Sequence, residues 1–259
     1  MMHINKSGTK SFAVSLTVMA LCLHVQAVQA LDWVDPPSHP VLVAQVQLAI
    51  EQYKLVDVYP DKTFRGERAF TRYELADALW RSLRYLSQRY PLPLPDGASL
   101  YRNSERYFEP QGDIPARHWA QSALQMVLGT GILGPESDRR FKGQQKVSRY
   151  QLALSLKNLL DYFHIQTLTL QQNRVSDVPA DHWAAQSVNE LVKAGILESA
   201  HHFKGDELVS RYELSQSLVK LLQHVDLLAQ KGLLKPEAPP QAQYERKPNG
   251  RRIKVKTQF

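Results

Sequence analysis

The chain has 259 residues, of which 43% are hydrophobic and 22% charged, a balance that excludes a wholly disordered protein and a large multidomain enzyme. Its one cysteine, Cys22, excludes an internal disulfide framework and a cysteine-built metal site, and its nine histidines include no HExxH or HxxH pair that would fix a metal on one helix face. The net charge of +7 sits at the end: residues 231–259 hold eight Lys/Arg against two Glu, whereas 31–230 carry 22 basic and 23 acidic side chains and are about neutral.

Residues 1–30 read as a secretory signal. Lys6 and Lys10 open it, and an apolar run of about fifteen residues follows. Val28 and Ala30 then put small side chains at the third-last and last positions before a cleavage point after Ala30. The run falls short of the ~20 residues needed to cross a bilayer. Cleavage would remove Cys22 and start an exported protein at Leu31.

From there the chain repeats itself. Phe64-Arg65-Gly66 with Thr71-Arg72-Tyr73-Glu74 recurs as Phe141-Lys142-Gly143 with Ser148-Arg149-Tyr150-Gln151. It recurs again as Phe203-Lys204-Gly205 with Ser210-Arg211-Tyr212-Glu213. Upstream, Asp113-Ile114-Pro115 with His118-Trp119-Ala120 matches Asp177-Val178-Pro179 with His182-Trp183-Ala184. The first copy keeps Asp35 and His39 there, but Pro40 stands where the Trp is expected.

Each copy predicts helix, loop, helix. The first helices are expected over 41–53, 118–130 and 182–194, with Gly131 and Gly195 placed to end theirs in a left-handed conformation. Lys54 must end the first one in another way. The second helices open on three Ser/Thr-x-x-Glu/Gln capping boxes, at Thr71, Ser148 and Ser210, each stapled by an apolar residue before the cap and a Leu after it.

Arg72, Arg149 and Arg211 occupy the first helical position, where the helix dipole disfavours a cation by ~0.3–1 kcal/mol. Two accounts stand. A salt bridge to a repeat acid such as Asp113 or Asp177 would join neighbouring copies, or the guanidinium and free helix N–H groups would converge on a carboxylate or phosphate. Trp119 and Trp183 either stack on a sugar or anchor the core. His201-His202 lacks spaced partners for a metal. No Ser-His-Asp order, nucleophile elbow, phosphate loop or recurring carboxylate pair is present.

Between the first two copies lies a stretch with Pro91, Pro93, Pro95 and Gly97, read as a surface excursion or linker. Residues 236–250 are proline-rich and polar, expected to be extended or disordered, and 251–259 alternate in the manner of a strand that would add to a partner's sheet edge. The competing reading is a solvated basic tail that touches anionic wall or lipid head groups.

Taken together, these motifs resemble the S-layer homology (SLH) family, in the spelling found in bacteria with two membranes. The resemblance implies an all-α fold of three helix-loop-helix SLH repeats in a pseudo-threefold bundle. The organisation would be signal 1–30, repeats at 31–90, 112–165 and 166–230, a Pro-rich linker at 91–111 and a basic tail at 231–259. It also implies carbohydrate binding in grooves between repeats. Carried over by motif, the ligand-binding residues would be Arg72, Arg149, Arg211, Trp119, Trp183, Asp113, Asp177 and Tyr59, the last from the partly preserved loop Val58-Tyr59-Pro60-Asp61-Lys62. The expected protein is a non-enzymatic one of the periplasm or cell envelope that binds peptidoglycan or a wall-linked anionic polysaccharide. The alternative is an adaptor that binds another envelope protein through its repeats and tail. No cofactor, metal, nucleic-acid partner or membrane span is expected.

Overall fold

The structure is a computed structural model that describes residues 33–172, 175–199 and 201–234, together with the backbone of two short strands further on. The expected signal segment and most of the tail lie outside the described residues. Among the described residues no helix is long and apolar enough to cross a membrane. The fold is all-α, with the two strands as a small annex.

Helix α1 (Pro40–Gln47) runs on through a π-type turn at Leu48–Gln52. It is followed by α2 (Arg72–Arg89), α3 (Gly97–Ser104), α4 (Gln121–Thr130), α5 (Arg149–Tyr162), α6 (Ala185–Lys193) and α7 (Arg211–Gln230). The long helices α2, α5 and α7 each touch the other two and carry most of the leucines of the core, with Leu79, Leu83, Leu156, Leu218 and Leu222 fully enclosed. Phe64, Phe141 and Phe203 seal it at the loops.

Local chemistry explains where the helices begin. Pro40 occupies the first turn of α1, where its fixed φ suits a helix and its missing N–H costs nothing, so that helix starts directly after His39. Helices α4 and α6 start later than the expected His118 and His182. Each histidine Nδ1 instead accepts the N–H two residues on, Ala120 and Ala184, both at 3.2 Å, and so holds a turn ahead of the helix.

At the other end, Gly131 and Gly195 adopt φ of 78° and 72° as expected. Lys54 ends the first helix in the same way, with φ 54°, and not by a different device. A β-carbon in that region costs about 1–2 kcal/mol, which the surrounding fold must overcome.

Two of the three capping boxes are complete: Thr71 with Glu74 and Ser148 with Gln151 exchange both bonds. The third is half-made. Ser210 accepts the Glu213 N–H at 3.2 Å, but the Glu213 carboxylate reaches instead to Arg149. Glu74, by contrast, holds Arg68 with one oxygen and the Thr71 N–H with the other.

The residues before the caps form a ring. Phe70 N–H donates to the Val209 carbonyl, Val209 N–H to Val147, and Val147 N–H to Phe70, at 3.3, 3.0 and 3.3 Å. The three sequence copies therefore close on one another through backbone bonds at one end of the helices.

The 91–111 stretch is more than a linker. Asp96 caps α3 by accepting the Ser99 N–H at 2.9 Å, and Leu100 and Ser104 are buried against α4. The contact needs Gly129, since a β-carbon there would lie 2.9 Å from Leu100 Cα, and Asn103 Nδ2 donates to the Gly129 carbonyl at 3.2 Å. The prolines frame a docked helix that the composition alone conceals. At the far end β1 (Tyr244–Arg246) pairs antiparallel with β2 (Arg252–Lys254), so part of the stretch expected to join a partner's sheet pairs within its own chain.

Candidate functional site

The three motif arginines share one geometry. Each extends from the start of its helix onto the next copy, lies over a phenylalanine ring and donates to carbonyls of the loop beneath. Arg72 sits 4.8 Å above the Phe141 ring, donates from Nε to the Phe141 carbonyl at 2.7 Å and from Nη2 to the Gly134 carbonyl at 2.6 Å, and pairs with Glu136 at 2.8 Å. Arg211 sits 4.7 Å above Phe64, donates to the carbonyls of Phe64 and Asp57 at 2.9 and 2.8 Å, and has Glu74 at 3.8 Å.

Arg149 sits 4.7 Å above Phe203, donates to the Glu198 carbonyl at 2.8 Å and pairs with Glu213. The first copy thus grips the second, the second the third, and the third the first.

These contacts are of the first kind expected for the arginines, ion pairs that join neighbouring copies. Arg72 and Arg211 are buried clasps, with side chains 4% and 8% exposed. Burial pulls their pKa down, while Glu136 and Asp113 for Arg72, and Tyr59 and Glu74 for Arg211, push it back up. The acids in direct contact with the arginines are Glu136, Glu213 and Glu74, while the repeat aspartate Asp113 acts on Arg72 only through its charge.

Arg149 differs. Its side chain is 17% exposed, and its Nε, though buried, has no hydrogen-bond partner. The third copy lacks an acid aimed as Glu136 is, because the Glu198 carboxylate binds Lys220 and Gln216. Glu213 fills the gap at a cost: burial raises its pKa, and the opposing pull of Arg149 does not cancel the shift. Glu74 goes the other way. Burial raises its pKa, but bonds from the Thr71 N–H and Arg68 outweigh it and the net shift is downward.

Asp113 and Asp177 are spent internally, as is their first-copy equivalent. Both oxygens of Asp113 accept backbone N–H groups, Phe141 at 2.7 Å and Lys142 at 2.8 Å. Asp177 holds Phe203 and Lys204, both at 2.7 Å, and Asp35 holds Phe64 and Arg65 at 2.5 and 2.7 Å. Arg65, Lys142 and Lys204 all take positive φ, between 51° and 54°, which turns successive N–H groups toward one carboxylate.

Tyr59 belongs to the interior of a clasp. Its ring lies between the guanidiniums of Arg65, at 4.4 Å, and Arg211, at 4.8 Å, and its hydroxyl accepts from Arg68 and donates to Glu74.

The tryptophans are not core anchors. Trp119 is 66% exposed and Trp183 58%. Each follows a histidine that stacks on the tyrosine of the preceding copy, His118 on Tyr73 at 3.9 Å and His182 on Tyr150 at 4.2 Å. Those tyrosines cover Gly143 and Gly205 so closely that a β-carbon would fall about 2 Å from a ring carbon. Two copy-to-copy seams thus carry the same aromatic ledge.

The third seam is different. With Pro40 in place of Trp, Tyr212 packs over Gly66, donates to the Asp35 carbonyl at 3.2 Å, and opens onto a cavity of about 510 Å³ walled by Pro36, Pro37, His39, Arg65 and Arg68. A second cavity, of about 300 Å³, is lined by Arg149, Glu198, Glu213, Gln216 and Ser217. Leu42, Glu67 and Tyr212 line both, so the two lie side by side near the start of α7.

Sequence reasoning had selected Arg149 but missed Gln216, Ser217 and Leu42. They carry no motif, and only the closure of the third copy on the first brings them together. Among the described residues no group of three or more His, Cys, Asp or Glu is placed to hold a metal.

Residues 112–153 match the S-layer homology domain family. The outer membrane protein SlpA of Deinococcus radiodurans is 30% identical over 78 residues, covering 27% of this chain and 7% of that protein. A cellulosome-anchoring protein of Acetivibrio thermocellus is 23% identical over 158 residues, covering 61% of this chain and 30% of that protein. The outer membrane protein SlpA of Thermus thermophilus is 40% identical over 48 residues, 18% of this chain and 5% of that protein. The chain therefore spans less than a third of each of these relatives. Residues 112–153 thus carry the match to the S-layer homology domain.

Proposed function

We propose that this is a non-enzymatic cell-envelope protein that anchors at the cell surface by holding wall glycan, either peptidoglycan or a polysaccharide attached to it, without a covalent bond. The three sequence copies act as three SLH units. Arg72 and Arg211, with Asp113, Asp177 and Tyr59, build the frame, and contact with the ligand falls to Trp119, Trp183 and Arg149. The observation that carries this reading is the pair of tryptophans left open to solvent at matching seams. An exposed indole on a rigid histidine–tyrosine backing is a poor use of apolar surface unless something covers it, and the apolar face of a sugar ring fits a flat ring of that size. The names of the relatives, outer membrane and anchoring proteins, point the same way.

Cosedimentation with purified wall sacculi tests it. The protein should pellet with sacculi, and Trp119→Ala with Trp183→Ala should reduce retention. The loss per ring should be near the ~2 kcal/mol of an aromatic hot spot, about 30-fold in affinity. Helical content should not change, because neither side chain supports the core. Unaltered retention of the double variant would refute the assignment.

A further inference from the structure

A strap, residues 165–172, leads from the second copy toward the third with no helix or strand of its own. His164, at φ 54°, ends α5 and turns the chain into it. Ile165 is buried, and Leu168 packs partly buried against the core. Three N–H groups of the strap fasten it. Those of Leu170 and Gln171 donate to one acceptor, the Lys193 carbonyl at the end of α6, at 2.8 and 2.9 Å. That of Leu168 donates to Nε2 of His224 on α7, at 3.1 Å.

This arrangement needs a neutral imidazole. His224 is 4% exposed, and because Nε2 accepts, the ring proton sits on Nδ1, which is buried and makes no hydrogen bond. Burial lowers the pKa below the ordinary 6.5, and the Ala194 carbonyl offsets this only in part. No charged side chain contributes to that shift. The charged and titratable groups on the surrounding elements are engaged or face water. Lys220 of α7 binds Glu198, Asp226 of α7 accepts from Tyr90, and Glu190 of α6 pairs with Lys157. Lys193 of α6 and His164 ahead of the strap are exposed.

His224 stands thirteen residues past the motif arginine of its copy, and the same position holds Tyr85 and Tyr162 in the other two. Burial raises the pKa of both tyrosines, so they stay uncharged in acid and at neutrality. Only the third copy places a group there that gains charge between about pH 5 and 8.

We propose that His224 is an acid-operated latch on the strap: neutral, it holds residues 165–172 across the ends of α6 and α7, and protonated, it lets them go. Protonation turns Nε2 from acceptor to donor, so it faces the Leu168 N–H with no lone pair between them and sets a charge among buried groups. Lifting the strap lets water reach both donors. The two bonds that remain rest on one carbonyl of an exposed residue and hold the strap weakly. The contribution of the neutral ring is whole above about pH 6.5, the value an imidazole in water regains once the strap is open, and is lost as pH falls below it.

Hydrogen exchange in the full chain, corrected for the intrinsic effect of pH on amide exchange, tests it. Protection of Leu168, Leu170 and Gln171 should fall about three- to tenfold between pH 7.5 and 5.5, while Leu156 of α5 and Leu218 of α7 keep theirs. His224→Gln offers the same N–H an acceptor that cannot gain charge, and should keep the strap protected with a flat pH profile. A flat profile in the wild type overturns the latch, as does an unchanged fall in His224→Gln or a parallel loss at Leu156 and Leu218. Should His224→Gln fail to fold, the wild type alone decides by NMR. The ring protons of His224 should titrate with a midpoint below 6.5, where the loss of protection levels off, and a midpoint at or above 6.5 overturns the proposal.

Discussion

Replacing Arg72 with alanine removes two charge-assisted bonds to the carbonyls of Phe141 and Gly134, the ion pair with Glu136 and the stacking on Phe141. Breaking one partner out of a buried pair costs about 3–5 kcal/mol. The lower part of that range applies, about 3–4 kcal/mol, because Glu136 keeps a solvent-facing side and recovers some hydration once released. For a domain of this size each kcal/mol moves Tm by about 2–4 °C, so Arg72→Ala should melt roughly 6–16 °C below wild type by scanning calorimetry.

Arg149→Ala should lose less stability, about 1–2 kcal/mol. Its Nε–H makes no bond to begin with, and its partner Glu213 already resists ionisation where it sits. The order of the two effects tests the reasoning more sharply than their size. If Arg149→Ala proved the more damaging, or if both melted with wild type and lost only sacculus binding, the clasp assignment would be refuted.

Further expectations concern other parts of the frame. Gly143→Ala should destabilise by about 1–3 kcal/mol in urea unfolding, because its β-carbon would meet the buried Tyr73 ring at 2.0 Å, whereas Gly134→Ala, with open space around it, should stay within about 0.5 kcal/mol. Lys54→Gly should stabilise by about 1 kcal/mol by the same measurement, since φ of 54° ceases to strain a β-carbon.

Glu74 and Glu213 should leave opposite marks on the pH dependence of Tm. The lowered pKa of Glu74 means its contribution is present above the ordinary carboxylate value of 4.5 and is lost as pH falls below it, so Glu74→Gln should flatten the acid limb. The raised pKa of Glu213 means its contribution is present below 4.5 and is lost as pH climbs through the raised value, so Glu213→Gln should remove a decline on that side. Identical pH profiles for the two variants would contradict both assignments.

Spacing along the chain was enough to establish the devices that act within a few residues. Threonine or serine with an acid or amide three residues later set the caps of α2 and α5, and a glycine past the last turn ended α4 and α6. Recurrence of the Phe…Arg-Tyr pattern disclosed that the chain repeats a sequence motif. These contacts are closed by neighbours in sequence, so position alone specifies them.

What stands opposite a side chain from another copy was settled only when the chain closed on itself. That closure turned Arg72 and Arg211 inward as clasps, drew Glu213 out of its cap toward Arg149, left Trp119 and Trp183 facing water, and seated α3 on Gly129 of α4. Partners as far apart in sequence as Arg72 and Gly134, 62 positions, or Arg211 and Asp57, 154 positions, leave no periodic trace in a single chain. The competition among acceptors for each guanidinium exists only once the three copies are packed together.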